Sequence, residues 1–335
     1  MRILTFVLKR LAWFVPTLLS VVAITFVISH LIPADPARLA AGETATAEQV
    51  EALRRQLGFD RPLFVQFLLY CQRLMSGDLG TSLYTGRAVV LDLFGRLPAT
   101  IELTLVAMFI TVAAGIPLGV LSALKRNTLL DHVVRFFTVS GLAIASFWLG
   151  IMLQLLIAMK LGWLPLGGRI DGFPPKSITG LYLIDAALTW DWSAFWSALR
   201  HSALPAATLA FPTMATVVRF TRAGVLEVIR SDYVLHERAM GFPPSVIIWK
   251  YVLRNALIAT VTQIGLLFGV LLSGAVVVEA LFDWPGIGYY AVNSIVLSDY
   301  NAILGFTVWA ASVFILLNII VDIILTVIDP RDAHR

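Results

Sequence analysis

Charge is scarce in this chain. Asp, Glu, Lys and Arg make up 14% of its residues, against about 25% in an ordinary soluble domain, which argues against a water-soluble globule. Cysteine is scarcer still: the single Cys71 excludes an intrachain disulfide and leaves the redox compartment undecided. Several catalytic patterns are missing too. No Gly-x-x-x-x-Gly-Lys-Ser/Thr loop occurs, since Lys176-Ser177 follow Pro175 rather than suitably spaced glycines, so ATP is not bound by that route. His236-Glu237 begin like a zinc-protease helix, but Met240 stands where the second histidine is needed. His30, His132, His201 and His334 fall in separate segments without ligand spacing. With this inventory, uphill transport needs an ion gradient or hydrolysis by another subunit.

What is abundant is apolar sequence, at 59% of residues. A helix crosses the hydrocarbon core with about 20 apolar residues. Runs of that order occupy 11–32, 103–124, 136–159, 256–278 and 303–321. A shorter run, 203–218, carries Pro205 and Pro212 and is expected to be a sixth span, because neighbouring helices satisfy the backbone that proline frees. The amino end, with Arg2, Lys9 and Arg10, is expected to be an uncleaved first helix, its apolar run being longer than a signal peptide's.

Lys and Arg set the orientation. With six spans, one side collects Arg2, Lys9, Arg10, Lys125, Arg126, Arg135, Arg219, Arg222, Arg230, Arg238, Lys250, Arg254, Arg331 and Arg335, while the opposite loop 279–301 has none. Both termini are therefore expected in the cytoplasm. The net charge of +4 is accounted for by flanks beside anionic lipid and calls for no nucleic acid.

Residues 33–98 read as an extracytoplasmic helical cap. Thr46 to Gln49 has capping-box spacing, Val50, Leu53 and Leu57 form one apolar face, and Gly58 is placed to end that helix. A second helix is expected from Pro62 to about Gly77. The plain reading of the cap is a structural lid, the functional one a docking surface. The loop 160–202, with Trp163, Trp190, Trp192 and Trp196, reads as interfacial anchoring. Asp322 follows Asn318 by one helical turn near the cytoplasmic end of the last span, and is expected to pair with Arg219 or Arg222 as an interhelical clamp.

The cytoplasmic segment 219–254 is patterned more tightly. Ser231 and Asp232 offer a cap, 233–240 has room for two helical turns, Gly241 suits a left-handed helix end, and Pro243-Pro244 suit the first turn of a new helix. The expected result is a short crosswise helix under the membrane, with Glu237 and Arg238 available to a partner's charges.

Here the sequence "ERAMG" at 237–241, followed by "WKYVLRNAL" at 249–257, resembles the EAA loop of ABC importer permeases. "GDLGTSL" at 77–83, "LPATIEL" at 97–103, "GIPLGVLSALKR" at 115–126, "SFWLG" at 146–150, "WPGIG" at 284–288 and "VIDPR" at 327–331 resemble the dipeptide/oligopeptide/nickel branch, its dipeptide permeases above all. Compared with the branch's usual "ARAKG", the chain departs at Glu237 and Met240 and in the Pro243-Pro244 pair.

The resemblance implies an all-α, polytopic fold of six transmembrane helices, the type I importer permease fold. Its expected parts are an N-terminus and first span at 1–32, the cap at 33–98, a permease domain at 99–328 with a coupling loop at 225–255, and a cytoplasmic tail at 329–335. It implies a non-catalytic subunit of a bacterial cell membrane importer. Its partners are a second permease, two ABC ATPases that bind ATP and Mg, an extracytoplasmic binding protein and lipid. No cofactor or metal is expected in the chain itself. Coupling to the ATPases falls on Glu237, Arg238, Ala239 and Gly241. Dipeptides or short peptides are the implied cargo, with nickel chelates, glutathione or another small solute as the alternative. An ion-gradient carrier and a membrane-embedded hydrolase are the competing classes.

Overall fold

A computed structural model describes residues 16–28, 38, 41, 45–58 and 60–328, apart from the side chains of 56, 57, 273, 274, 317, 318 and 321–328. Among these residues the chain is helical, and its β pairing is an isolated bridge between Thr81 and Ala88. In chain order the helices are α1 (Pro16–Ile28), α2 (Ala47–Leu57), α3 (Leu63–Met75), α4 (Val89–Leu124) and α5 (Leu129–Ala143). Next come α6 (Ser146–Leu153, prolonged by a π turn over Gln154–Lys160), α7 (Tyr182–Leu188), α8 (Trp192–Val228) and α9 (Asp232–Ala239). Helix α10 opens at Pro244–Val246, passes through a π turn at Ile247–Val252 and continues over Leu253–Gly274. The last are α11 (Val276–Leu281), α12 (Ile287–Val296) and α13 (Tyr300–Ile328).

Two compact units are formed, one from Met1–Thr100 with Pro285–Ile319 and the other from Ile101–Trp284 with Ile320–Arg335. In the first, the capping box at Thr46 and Gln49 is present and Gly58 ends α2 at φ +76°. Helix α3 follows Pro62 as expected. Val22, Phe26, Tyr70, Leu304 and Val308 make one core cluster, and Val89, Leu93, Ile287, Tyr290 and Ala302 another. The "GDLGTSL" loop is tied to the start of α13. Asp299, which caps that helix through Ala302 N (3.2 Å), also accepts the Ser82 hydroxyl (2.5 Å) and Tyr84 N (3.3 Å).

In the second unit, glycines let helix backbones approach closely, as in membrane bundles. A Cβ on Gly119 would lie 2.7 Å from Thr221 Cβ, and one on Gly224 2.5 Å from the Ala256 carbonyl oxygen. Gly115 and Gly119 form a small-x-x-x-small pair on α4 that faces α8, which explains the "GIPLG" stretch. Buried Thr111 and Thr213 hydroxyls meet at 2.7 Å between the same two helices.

Among the described residues, three helices are long and apolar enough to cross a membrane: Val89–Leu124, Trp192–Val228 and Pro244–Leu272. A bent pair, Leu129–Ala143 with Ser146–Lys160, makes a fourth if taken as one span. Pro16–Ile28 and Tyr300–Leu316 are apolar but shorter within the described side chains. Two helical segments differ in extent from their apolar runs. The run at 203–218 belongs to a continuous helix of 37 residues that keeps both prolines inside it. Thr208, Thr213 and Thr216 hydroxyls donate to carbonyls around them. The run at 136–159 is instead broken after Ala143, with a bend of 108°. No proline causes the break. Gly141 of α5 seats against Phe211 and Ala215 of α8, while Gly150 of α6 seats against Leu281 of α11, Phe282 and Thr208 of α8, so the two halves pack on different neighbours.

Candidate functional site

Helix α8 ends in a turn at Ser231, whose hydroxyl donates to Val228 O at 2.6 Å rather than capping α9. Asp232 opens α9 in the favourable first-turn position. At the other end Gly241 adopts φ +80°. Its N–H donates to Arg238 O (3.0 Å) and Phe242 N–H to Glu237 O (3.3 Å), the paired bonds of a Schellman ending. Pro243 stays extended and Pro244 starts α10. The expected helix, break and restart are all present at the expected residues.

One side chain anchors α9. Val234 is fully buried in a cluster with Val120 and Ala123 of α4, Val225 of α8 and Ile247, Val252 and Ala256 of α10. The Tyr233 hydroxyl adds a hydrogen bond from Asn255 Nδ2 at 3.0 Å, and the Phe242 ring leans on Tyr251 at 6.0 Å. The rest of the segment points outward. Arg238 and Ala239 are exposed, Glu237 is partly buried, and Leu235, Met240 and Phe242 present large apolar groups. A displacement of α9 would therefore reach α4, α8 and α10 together through Val234.

The remaining sequence-predicted residues fall differently. Arg219 is exposed, its guanidinium 5.5 Å from the Phe220 ring centre. Arg222 is bound to Asp131, a partner the sequence reading missed, through Nε to Oδ1 at 2.9 Å and Nη2 to Oδ2 at 3.0 Å. The fully buried Asp131 carboxylate also accepts the Ser122 hydroxyl (2.6 Å) and Asn127 N (3.0 Å), and Arg135 stands 3.7 Å away. This node fastens the end of α4 and the start of α5 to α8. The expected pairing of Asp322 involves side chains at 318 and 322 that lie outside the described residues.

On the far side of the second unit, Arg169 is buried against Glu102, donating from Nε at 2.8 Å and from Nη2. Its guanidinium lies 3.6 Å over the Tyr182 ring and donates to Gly180 O at 2.8 Å. Asp185 gathers the Thr179 hydroxyl and the N–H groups of Ile178, Thr179 and Gly180 at 2.7 to 3.2 Å. Burial alone would raise its pKa; these hydrogen bonds outweigh that and hold it below the usual carboxylate range. The loop read as interfacial anchoring thus carries a polar clamp. Glu102, inside "LPATIEL" and at the head of an apolar run, was the signal that could have found it.

Residues 115–333 match the family described as "Binding-protein-dependent transport system inner membrane component", and residues 3–104 match its N-terminal region. The chain belongs to this family. It is similar over 97% of its length to a probable D,D-dipeptide transport system permease protein, DdpB, of Escherichia coli strain K12, at 45% identity and with 96% of that protein covered. It is 39% identical over 98% of its length to the dipeptide transport system permease protein DppB of Alkalihalophilus pseudofirmus, with 99% of that protein covered. A glutathione transport system permease protein, GsiC, of Pectobacterium atrosepticum is 38% identical over 99% of the chain and 100% of the relative. Its exposed α9 lies within the residues 115–333 that match the family.

Proposed function

We propose that this chain is the non-catalytic permease subunit of an ATP-driven importer, forming a translocation path for dipeptides or short peptides with a second, homologous permease. Two ATPase subunits bind ATP and Mg and move α9, and an extracytoplasmic binding protein delivers the cargo. The chain crosses the membrane six times, by α1, α4, the bent pair α5–α6, α8, α10 and α13, with both termini in the cytoplasm. The observation that carries the reading is α9 itself: a short helix held by one buried valine and a left-handed glycine, offering Leu235, Met240 and Arg238 outward. Exposed apolar side chains beside charge suit the cleft of a soluble partner.

Cargo identity is supported by the dipeptide permeases among the relatives, while GsiC favours glutathione as a second reading. The test is uptake of radiolabelled dipeptide into proteoliposomes containing both permeases, the ATPases and the binding protein. ATP-dependent uptake that excess dipeptide suppresses and glutathione leaves intact is expected. Uptake of labelled glutathione with none of labelled dipeptide would favour the second reading, and uptake by this chain without its partners would contradict the permease assignment.

A further inference from the structure

Helix α3 has two apolar sides. On one, Phe67, Tyr70 and Leu74 pack into a core with Val22 and Phe26 of α1 and with Leu304 and Val308 of α13, the Phe26 and Phe67 rings meeting edge to face at 5.3 Å. On the other, Phe64, Leu68 and Met75 stand open, Phe64 at 70% and Met75 at 83% of full exposure. Helix α2 just before it is different, with Glu48, Glu51 and Arg55 on its exposed surface. A water-facing cap explains α2 and leaves the open side of α3 unexplained.

Depth along α13 resolves this. Its 29 residues span about 43 Å at about 1.5 Å per residue, close to the bilayer thickness including headgroups, about 40–45 Å. Leu304 and Val308 lie about 6 and 12 Å in from the Tyr300 end on the same rise. That is where headgroups give way to hydrocarbon. Anything packed on those two residues sits at the same level. With 13 residues, α3 is about 20 Å long, too short to cross a core of about 30 Å and suited to lie along its edge. Arg61 before its start and Arg73 in its last turn are both exposed, placed to reach phosphates while their stems stay apolar. Helix α1, on which α3 packs, also turns Leu19, Ile24 and Val27 outward.

We propose that α3 is an interfacial helix seated in the extracytoplasmic leaflet, its open apolar side in contact with the lipid headgroup and acyl boundary. The inference rests on reading α1 and α13 as spans, and the test separates the two. In a Cys71→Ser background, nitroxide labels are placed singly at Leu68→Cys, Met75→Cys, Glu51→Cys and Leu316→Cys. The assembled complex is then studied in vesicles of phosphatidylethanolamine and phosphatidylglycerol. Relaxation by oxygen several-fold greater than by a water-soluble nickel chelate is expected at positions 68, 75 and 316, with the reverse at 51. If position 316 reports oxygen while 68 and 75 report the nickel chelate, the interfacial placement is overturned and the spans survive. Poor access of both reagents at 68 and 75 would mean a protein covers α3, which also overturns the proposal. Nickel access at 316 would overturn the spans and the inference with them.

Discussion

At the scale of single residues, Gly241 and Asp131 are irreplaceable for different reasons. A Cβ at Gly241 would meet nothing within 4 Å, so the demand for glycine comes from its φ of +80° and not from space. Left-handed backbone costs a side-chain-bearing residue on the order of 1–2 kcal/mol, and more when it is β-branched. Gly241→Val should therefore disfavour the Schellman ending about tenfold, since about 1.4 kcal/mol is tenfold in an equilibrium, and lower substrate-stimulated ATP hydrolysis by the assembled complex; Gly241→Ala should fall between. Wild-type stimulation in the Val variant would refute the need for this ending. Asp131 is needed for charge. Asp131→Ala strands Arg222 inside the unit, which costs about 3 kcal/mol, at the low end because Arg222 keeps 22% of its side-chain surface exposed. Thermal unfolding in detergent should drop markedly for that variant and recover in part when Arg222→Met is added.

At the scale of elements, legibility followed how local the determinants are. The capping box and Gly58 of α2, the Pro62 start of α3, and the break at Gly241 through Pro244 depend on neighbours a few residues apart, and all three were legible. Helix α8 was legible as a span despite Pro205 and Pro212, but its full length was not, because the turns beyond 203–218 carry Arg200, His201, Arg219 and Arg222 and so fall outside an apolar run. The 108° bend between α5 and α6 has no local marker; its neighbours are distant in sequence, Gly141 seating on Phe211 and Ala215 and Gly150 on Leu281, Phe282 and Thr208. The same limit hid Asp131 and Glu102 as partners of Arg222 and Arg169, since each pair joins residues far apart in sequence. Helix α2 brings its own prediction. Its exposed face is charged, as befits a surface met by a soluble partner, so deleting 46–58 should reduce binding-protein-dependent uptake at least severalfold. Undiminished uptake in proteoliposomes would remove α2 from the docking surface.

At the scale of the whole molecule, the absences that open the sequence and the geometry of the chain agree. Without a phosphate loop the protein has no means of its own to hydrolyse ATP by that route; what it has is a short helix, α9, pinned by Val234 to three helices at once. Work done elsewhere enters through such a contact only if a partner grips the exposed side of α9. The most direct measurement places a photo-crosslinking amino acid at Leu235 in the fully assembled transporter. A covalent adduct with an ATPase subunit is predicted, and its yield should change when ATP is bound. Adducts with lipid alone, or none with the ATPase in a complex that transports, would contradict the account.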